Sequence, residues 1–144
     1  MSAIENPDET LPGRTAYWIG HILSDLVCLF LIFDAVAKLV PIAPVTETMG
    51  QLGYDTSIGF TRGLGVLILA CTAFYAWPRT AVFGAVLLTG LFGGAIATQL
   101  RVGAPVFSHL LFGLYLGLMV WGGLVLREPR LLRIFPLRRV TAEE

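Results

Sequence analysis

The stretch TAVFGAVLLTGLFGGAIATQL, Thr80 to Leu100, decides the fold. It contains no charged residue, and its polar side chains are confined to Thr80, Thr89, Thr98 and Gln99. A bilayer core of about 30 Å requires roughly 20 predominantly apolar residues in a helix. This run supplies them, so it reads as a transmembrane helix. Pro78 precedes it and Pro105 follows it, at ends where proline interrupts nothing. Three further runs have the same character: Tyr17 to Val40, Ile58 to Trp77, and Val106 to Leu126.

The composition of the whole chain agrees. Of 144 residues, 56% are hydrophobic and 14% are charged, and the mean hydropathy is +0.76. A soluble domain carries about 25% charged residues. Such a chain has too little polar surface to coat a water-soluble globule and is expected to be integral to a membrane. The links after the second and third spans are very short, so those helices must run antiparallel. The expected fold is all-α, a four-helix antiparallel membrane bundle over residues 17–126, flanked by a polar segment (1–16) and a basic tail (127–144). The N-terminal MSAIENPDETLPGR is acidic and polar, unlike the basic start and apolar core of a secretory signal. The first run is therefore expected to persist. The formal net charge is zero, which gives no basis for nucleic-acid binding.

Charge placement sets the expected orientation. The tail REPRLLRIFPLRR carries Arg127, Arg130, Arg133, Arg138 and Arg139. Positive charge stays on the cytoplasmic side, so both termini of a four-span chain are expected inside, with Arg14 and Arg79 on the same side. Trp18, Trp77, Tyr17 and Tyr75 read as the aromatic belt of that interface. The tail itself is suited to anionic headgroups.

Polar residues inside the spans gather at the other, non-cytoplasmic end. Asp34 and Lys38 lie four apart near the end of the first helix, on one face. Arg62 lies about a turn inside the second. Thr98, Gln99 and Arg101 close the third, and Ser108 and His109 open the fourth. Each alone has a plain reading: a snorkelling cation for Lys38, Arg62 or Arg101, a helix cap for His109 beside Ser108, or a register-fixing pair for Asp34. Together they form a layer contributed by every span, and ionisable groups within a membrane usually face the bundle interior and mark function. Asp34 and His109 are the candidate acid–base residues. Lys38, Arg62, Thr98, Gln99 and Arg101 are the candidate ligand contacts. For Asp34 the partner is either Lys38 or Arg62.

Other features are weaker. His21 and Asp25 lie at the cytoplasmic end, where an interfacial pair between Asp25 and Arg79 is the favoured reading. Gly59/Gly63, Gly90/Gly94 and Gly113/Gly117 are GxxxG pairs and fit close helix contact, although with 16 glycines some arise by chance. Cys28 and Cys71 read as small buried hydrophobes rather than a redox pair. The chain has no CxxC and no metal-ligand cluster, so no metal site is expected. The long first link, PIAPVTETMGQLGYDTS, has the length to lie across the mouth of the bundle.

Several spaced segments resemble the DoxX-like family of small four-span bacterial membrane proteins. They are the D..AK ending the first helix, QLGYD in the first link, PRTAVFGAVLLTGLFGGAIATQLRVGAPVFSHLLFG, and WGGLVLREPRLLRIFPLR. The resemblance runs from Tyr17 to Arg139. In similar sequences the third helix often ends A-T-H-x-R; here it reads ATQLR, and Gln99 stands where a histidine is usual. The resemblance implies a bacterial inner-membrane location and association with a membrane or peripheral oxidoreductase. Of cofactors it points to a quinone. The sequence carries no haem, flavin or iron–sulfur signature, so electrons would come from a partner. A subunit binding a quinone or other small lipophilic molecule is thus the leading expectation. The alternatives are a stand-alone membrane isomerase or hydrolase using Asp34 and His109, and a non-catalytic assembly protein, with a homo-oligomer left open.

Overall fold

The computed structural model describes residues 13–40, 42–105 and 111–134, excepting the side chains of residues 133 and 134. Its elements are α1 (Arg14–Leu39), α2 (Ala43–Gln51), α3 (Ile58–Ala76), α4 (Ala81–Arg101), α5 (Leu111–Arg127) and a short α6 (Leu131–Ile134). No strand occurs among the described residues. The chain is an all-α membrane bundle. Helices α3 and α4 are each long and apolar enough to cross a bilayer alone. Helix α1, with 26 residues, spans about 39 Å at 1.5 Å per residue, but it carries four charged side chains.

The long helices close into a ring in chain order: α1 packs on α3 and α5, and α4 packs on α3 and α5. The contacts fix the directions. The start of α1 meets the end of α5 at Gly20 and Gly123, while Ala35 near its end meets Gly65 near the start of α3. Gly84 of α4 meets the backbone at Phe74 and Tyr75, and Gly113 of α5 meets Phe92 and Ile96. Each neighbouring pair is therefore antiparallel. Lipid tails are as apolar as leucine, so these helices associate through packing and internal hydrogen bonds rather than by escaping water. Outward faces carry bare hydrophobes such as Leu29 and Phe33, which are 68% and 72% exposed.

The close contacts correct the glycine expectation. A Cβ added at Gly59, Gly63, Gly90 or Gly94 would meet nothing within 4 Å. The glycines that permit close approach are Gly20, Gly65, Gly84, Gly113 and Gly123, where the same atom would lie 2.9 Å or less from a neighbouring helix. GxxxG spacing places two glycines on one face but does not say whether that face points inward.

One end of the bundle is pinned by polar groups. Tyr75 is fully buried, and its hydroxyl donates to the carbonyl of Val120 at 2.9 Å. That proton is committed, so the buried Ser24 hydroxyl, 2.9 Å away, donates to the Tyr75 oxygen. Helices α1, α3 and α5 are thereby joined at one point. The Arg127 guanidinium carbon lies 5.6 Å from the centre of the Tyr75 ring, a cation–π distance.

The first link contains a helix of its own. Pro44 stands in the first turn of α2, where its missing N–H costs nothing. The helix ends in a Schellman turn: Gly53 N donates to Gly50 O and Tyr54 N to Met49 O, both at 3.0 Å, with φ of Gly53 at +71°. Helix α4 ends the same way at Gly103, φ +67°. Only a residue without a Cβ takes these left-handed angles without strain. The two helix ends meet: Tyr54, just past the first turn, reaches Thr98 of α4, and Arg101 at the end of α4 reaches Leu52.

Candidate functional site

At the other end of the bundle is a cavity of about 400 Å³. It is formed by the C-terminal parts of α1 and α4, the N-terminal parts of α3 and α5, and the returning chain around α2. Its body is apolar, with Phe30, Leu31, Ile68, Phe112 and Leu116 among the lining residues. Its polar groups are Asp34, Lys38, Tyr54, Thr98 and Gln99. Met49 and Leu52, from α2 and its end, also line it, so the first link does lie over the mouth.

The central feature is an ion pair. Lys38 Nζ donates to Asp34 Oδ1 at 2.5 Å. The choice of partner for Asp34 is thus resolved on its own helix. The Lys38 side chain is 13% exposed and that of Asp34 34%. One N–H of the ammonium is used by Asp34, leaving two for other acceptors. The second carboxylate oxygen likewise has no donor among the described residues.

Around the pair, the remaining protons can be traced. Thr98 Oγ1 donates to the Gly94 carbonyl at 2.9 Å, so the Tyr54 hydroxyl, 2.6 Å away, donates to Thr98. The Tyr54 oxygen keeps acceptor capacity. Tyr54 also stacks on Phe60, ring centres 5.4 Å apart. The Gln99 side chain lines the cavity and has no hydrogen-bond partner among the described residues. Gly90 and Gly94 line the cavity with bare backbone. No group of three or more metal-ligating side chains occurs among the described residues.

Two residues expected at the site lie elsewhere. Arg62 is exposed, and its Nε donates to the Leu39 carbonyl at the end of α1, 3.2 Å away. Arg101 Nη2 donates to the Leu52 carbonyl at 2.6 Å. Both satisfy carbonyls at helix ends, which have no partner within the helix. They hold the frame of the cavity without lining it. Ser108 and His109 lie outside the described residues. The sequence reading allowed the link to cover the mouth by its length but did not single out Tyr54, Met49 or Leu52 as lining residues. The QLGYD segment, with its turn-forming glycine, was the available signal.

At the opposite end, the expected Asp25–Arg79 pair is not formed: both residues are exposed, and no ion pair among the described residues includes either. Cys71 is buried in the core, Cys28 is packed half-buried against it, and both are free thiols.

The profile of the DoxX-like family matches residues 22–123, which takes in α3 and α4 entire, most of α1 and α5, and the whole cavity lining. The chain belongs to the DoxX-like family. No curated protein and no solved structure matches it. The membership therefore describes the architecture of this DoxX-like protein, and its chemistry has to be argued from the cavity.

Proposed function

We propose that this DoxX-like protein is a redox-associated membrane subunit that holds a small lipophilic molecule with a polar head, of the quinone class. The observation that carries this reading is a mostly apolar cavity with the Asp34–Lys38 ion pair and, among the described residues, an unpartnered Gln99 amide at its end. Apolar pockets with a few convergent polar groups are the usual form of small-molecule sites. The apolar body suits a ring and tail. Lys38 and Gln99 donate to a carbonyl oxygen of the head. Asp34 takes or returns a proton at a hydroxyl of the reduced head, as a positioned acid–base group does. A bound quinone accepts and gives up electrons, which a membrane or peripheral oxidoreductase partner exchanges with it.

The reading places the protein in the bacterial inner membrane with both termini cytoplasmic, as the arginine distribution implies. The cavity then faces the non-cytoplasmic third of the bilayer. The test is equilibrium binding of a short-tailed benzoquinone to the purified full chain in lipid nanodiscs. Saturable binding is expected, weakened about fivefold or more by Gln99→Leu, the worth of one hydrogen bond of about 1 kcal/mol. Absence of saturable binding, or affinity unchanged in both Gln99→Leu and Gly94→Leu, overturns it.

A further inference from the structure

We propose that Lys38 captures a lipophilic aldehyde or ketone as a protonated Schiff base in this cavity. The inference rests on the reading that the cavity admits a lipophilic molecule, and it adds a covalent activity to it. Three observations carry it. The chain has 10 basic residues, and every one except Lys38 is an arginine. The sole lysine is, among the described residues, the one cation that lines the cavity. Its amine touches a carboxylate that can act as a base.

The choice of residue is chemically meaningful. Arginine is always protonated in proteins and serves well in an ion pair. Lysine can lose its proton, and a desolvated lysine amine is a nucleophile toward carbonyls. If the position required only a counter-charge for Asp34, arginine would serve there as it serves at the other basic positions. Arg62 and Arg101, the nearest such cations in the same layer, both point at backbone carbonyls.

The step balances without an outside oxidant or reductant. Asp34 takes a proton from Nζ, leaving a neutral amine. The amine lone pair forms a C–N bond to the carbonyl carbon, and the C=O π pair moves to oxygen. That oxygen takes the proton held by Asp34, giving a carbinolamine. Asp34 removes the second nitrogen proton and passes it to the hydroxyl, which leaves as water while the C=N bond forms. The products are a protonated imine, one water and the Asp34 carboxylate as counter-ion. Gln99 supplies a donor to the carbonyl oxygen during attack. The apolar body of the cavity receives the tail and disfavours the water needed for the reverse reaction.

The experiment treats the full chain in nanodiscs with decanal and sodium cyanoborohydride, which reduces the imine to a stable amine. Intact mass counts the decyl groups, and peptide mapping separates Lys38, the single lysine, from the N-terminal amine. One decyl adduct on Lys38 is expected. Lys38→Arg keeps the ion pair and abolishes the adduct. Asp34→Asn slows adduct formation by roughly a hundredfold, the low end of what a positioned base contributes. Normalised to its rate with a free lysine side chain in solution, glyoxylate, a charged aldehyde, labels Lys38 far more slowly than decanal does.

No adduct on Lys38, equal labelling by the two aldehydes, or an undiminished rate in Asp34→Asn overturns the proposal. The short-tailed benzoquinone is run in parallel. Quinone binding without an adduct removes the capture and leaves the cavity reading standing. Protection of Lys38 by the quinone supports a shared site. Loss of both signals removes both readings.

Discussion

Replacing Lys38 with methionine separates what the ion pair does for the fold from what it does for a ligand. The substitution keeps the length of the side chain and removes its charge. The Asp34 carboxylate is then left facing a mostly apolar cavity. Removing one partner of a fully buried pair costs about 3–5 kcal/mol. The Asp34 side chain is 34% exposed, so water and headgroups offset part of that, and a loss of about 2 kcal/mol is expected. Asp34→Leu alone leaves the ammonium unpaired and costs a similar amount, reduced where the long lysine stem can reach an interface. The double variant, Asp34→Leu with Lys38→Met, removes both charges. It is expected within about 1 kcal/mol of the wild type, or above it, because apolar replacements of buried pairs are often neutral or stabilising. The coupling follows from a double-mutant cycle. The assay is reversible unfolding in mixed micelles of sodium dodecyl sulfate and dodecyl maltoside, read by far-ultraviolet circular dichroism. A double variant that is stable but binds no benzoquinone assigns the pair to the ligand. A double variant as unstable as the sum of its singles means no coupling and refutes the account of the pair.

Four further outcomes are expected. Gly94→Leu should lower benzoquinone affinity at least about tenfold, while its midpoint in the same unfolding assay stays within about 1 kcal/mol, because the new side chain enters open cavity and removes a helix-weakening glycine. Gly84→Ala should destabilise by about 1–3 kcal/mol or more, an overpacking cost, since its Cβ collides with the backbone of Phe74 and Tyr75; wild-type stability would remove the close α3–α4 contact. Tyr75→Phe should cost about 1 kcal/mol by leaving the Ser24 hydroxyl without its acceptor, and adding Ser24→Ala should recover part of that loss. Asp55 is held below its ordinary value of 3.8 by the backbone N–H and then the hydroxyl of Ser57. A depressed carboxylate contributes stability above its unfolded value and loses it as the pH falls through the lower folded value. Acid titration of helicity below about pH 4 should therefore be flattened in Asp55→Asn, and identical acid limbs would remove that contribution.

Much of the site was legible from depth alone. Asp34, Lys38, Thr98 and Gln99 fall at one end of their spans, and the helix period brings them to a common cavity. Depth could not separate a residue that lines the cavity from one on the rim, since both lie at the same level. Arg62 and Arg101 show this: each is drawn to a free carbonyl at a helix end. Tyr54 shows the reverse. The length of the link allowed it to cover the bundle, but nothing local to it says that Tyr54 will bond to Thr98, because that contact joins residues 44 apart in the chain.

The sequence by itself determined that this chain is helical, membrane-embedded and polar at one end, since hydropathy acts along the chain and a bilayer sets the helix length. It also supplied the segments shared with the DoxX-like family. Tertiary structure decided which glycines let helices touch, and which remain as bare cavity wall. It decided that Asp34 pairs with Lys38, and that the arginines serve the frame. These are questions of which face turns inward, and in lipid that face is chosen by packing and hydrogen bonding between helices rather than by hydrophobicity, which is nearly the same on every side.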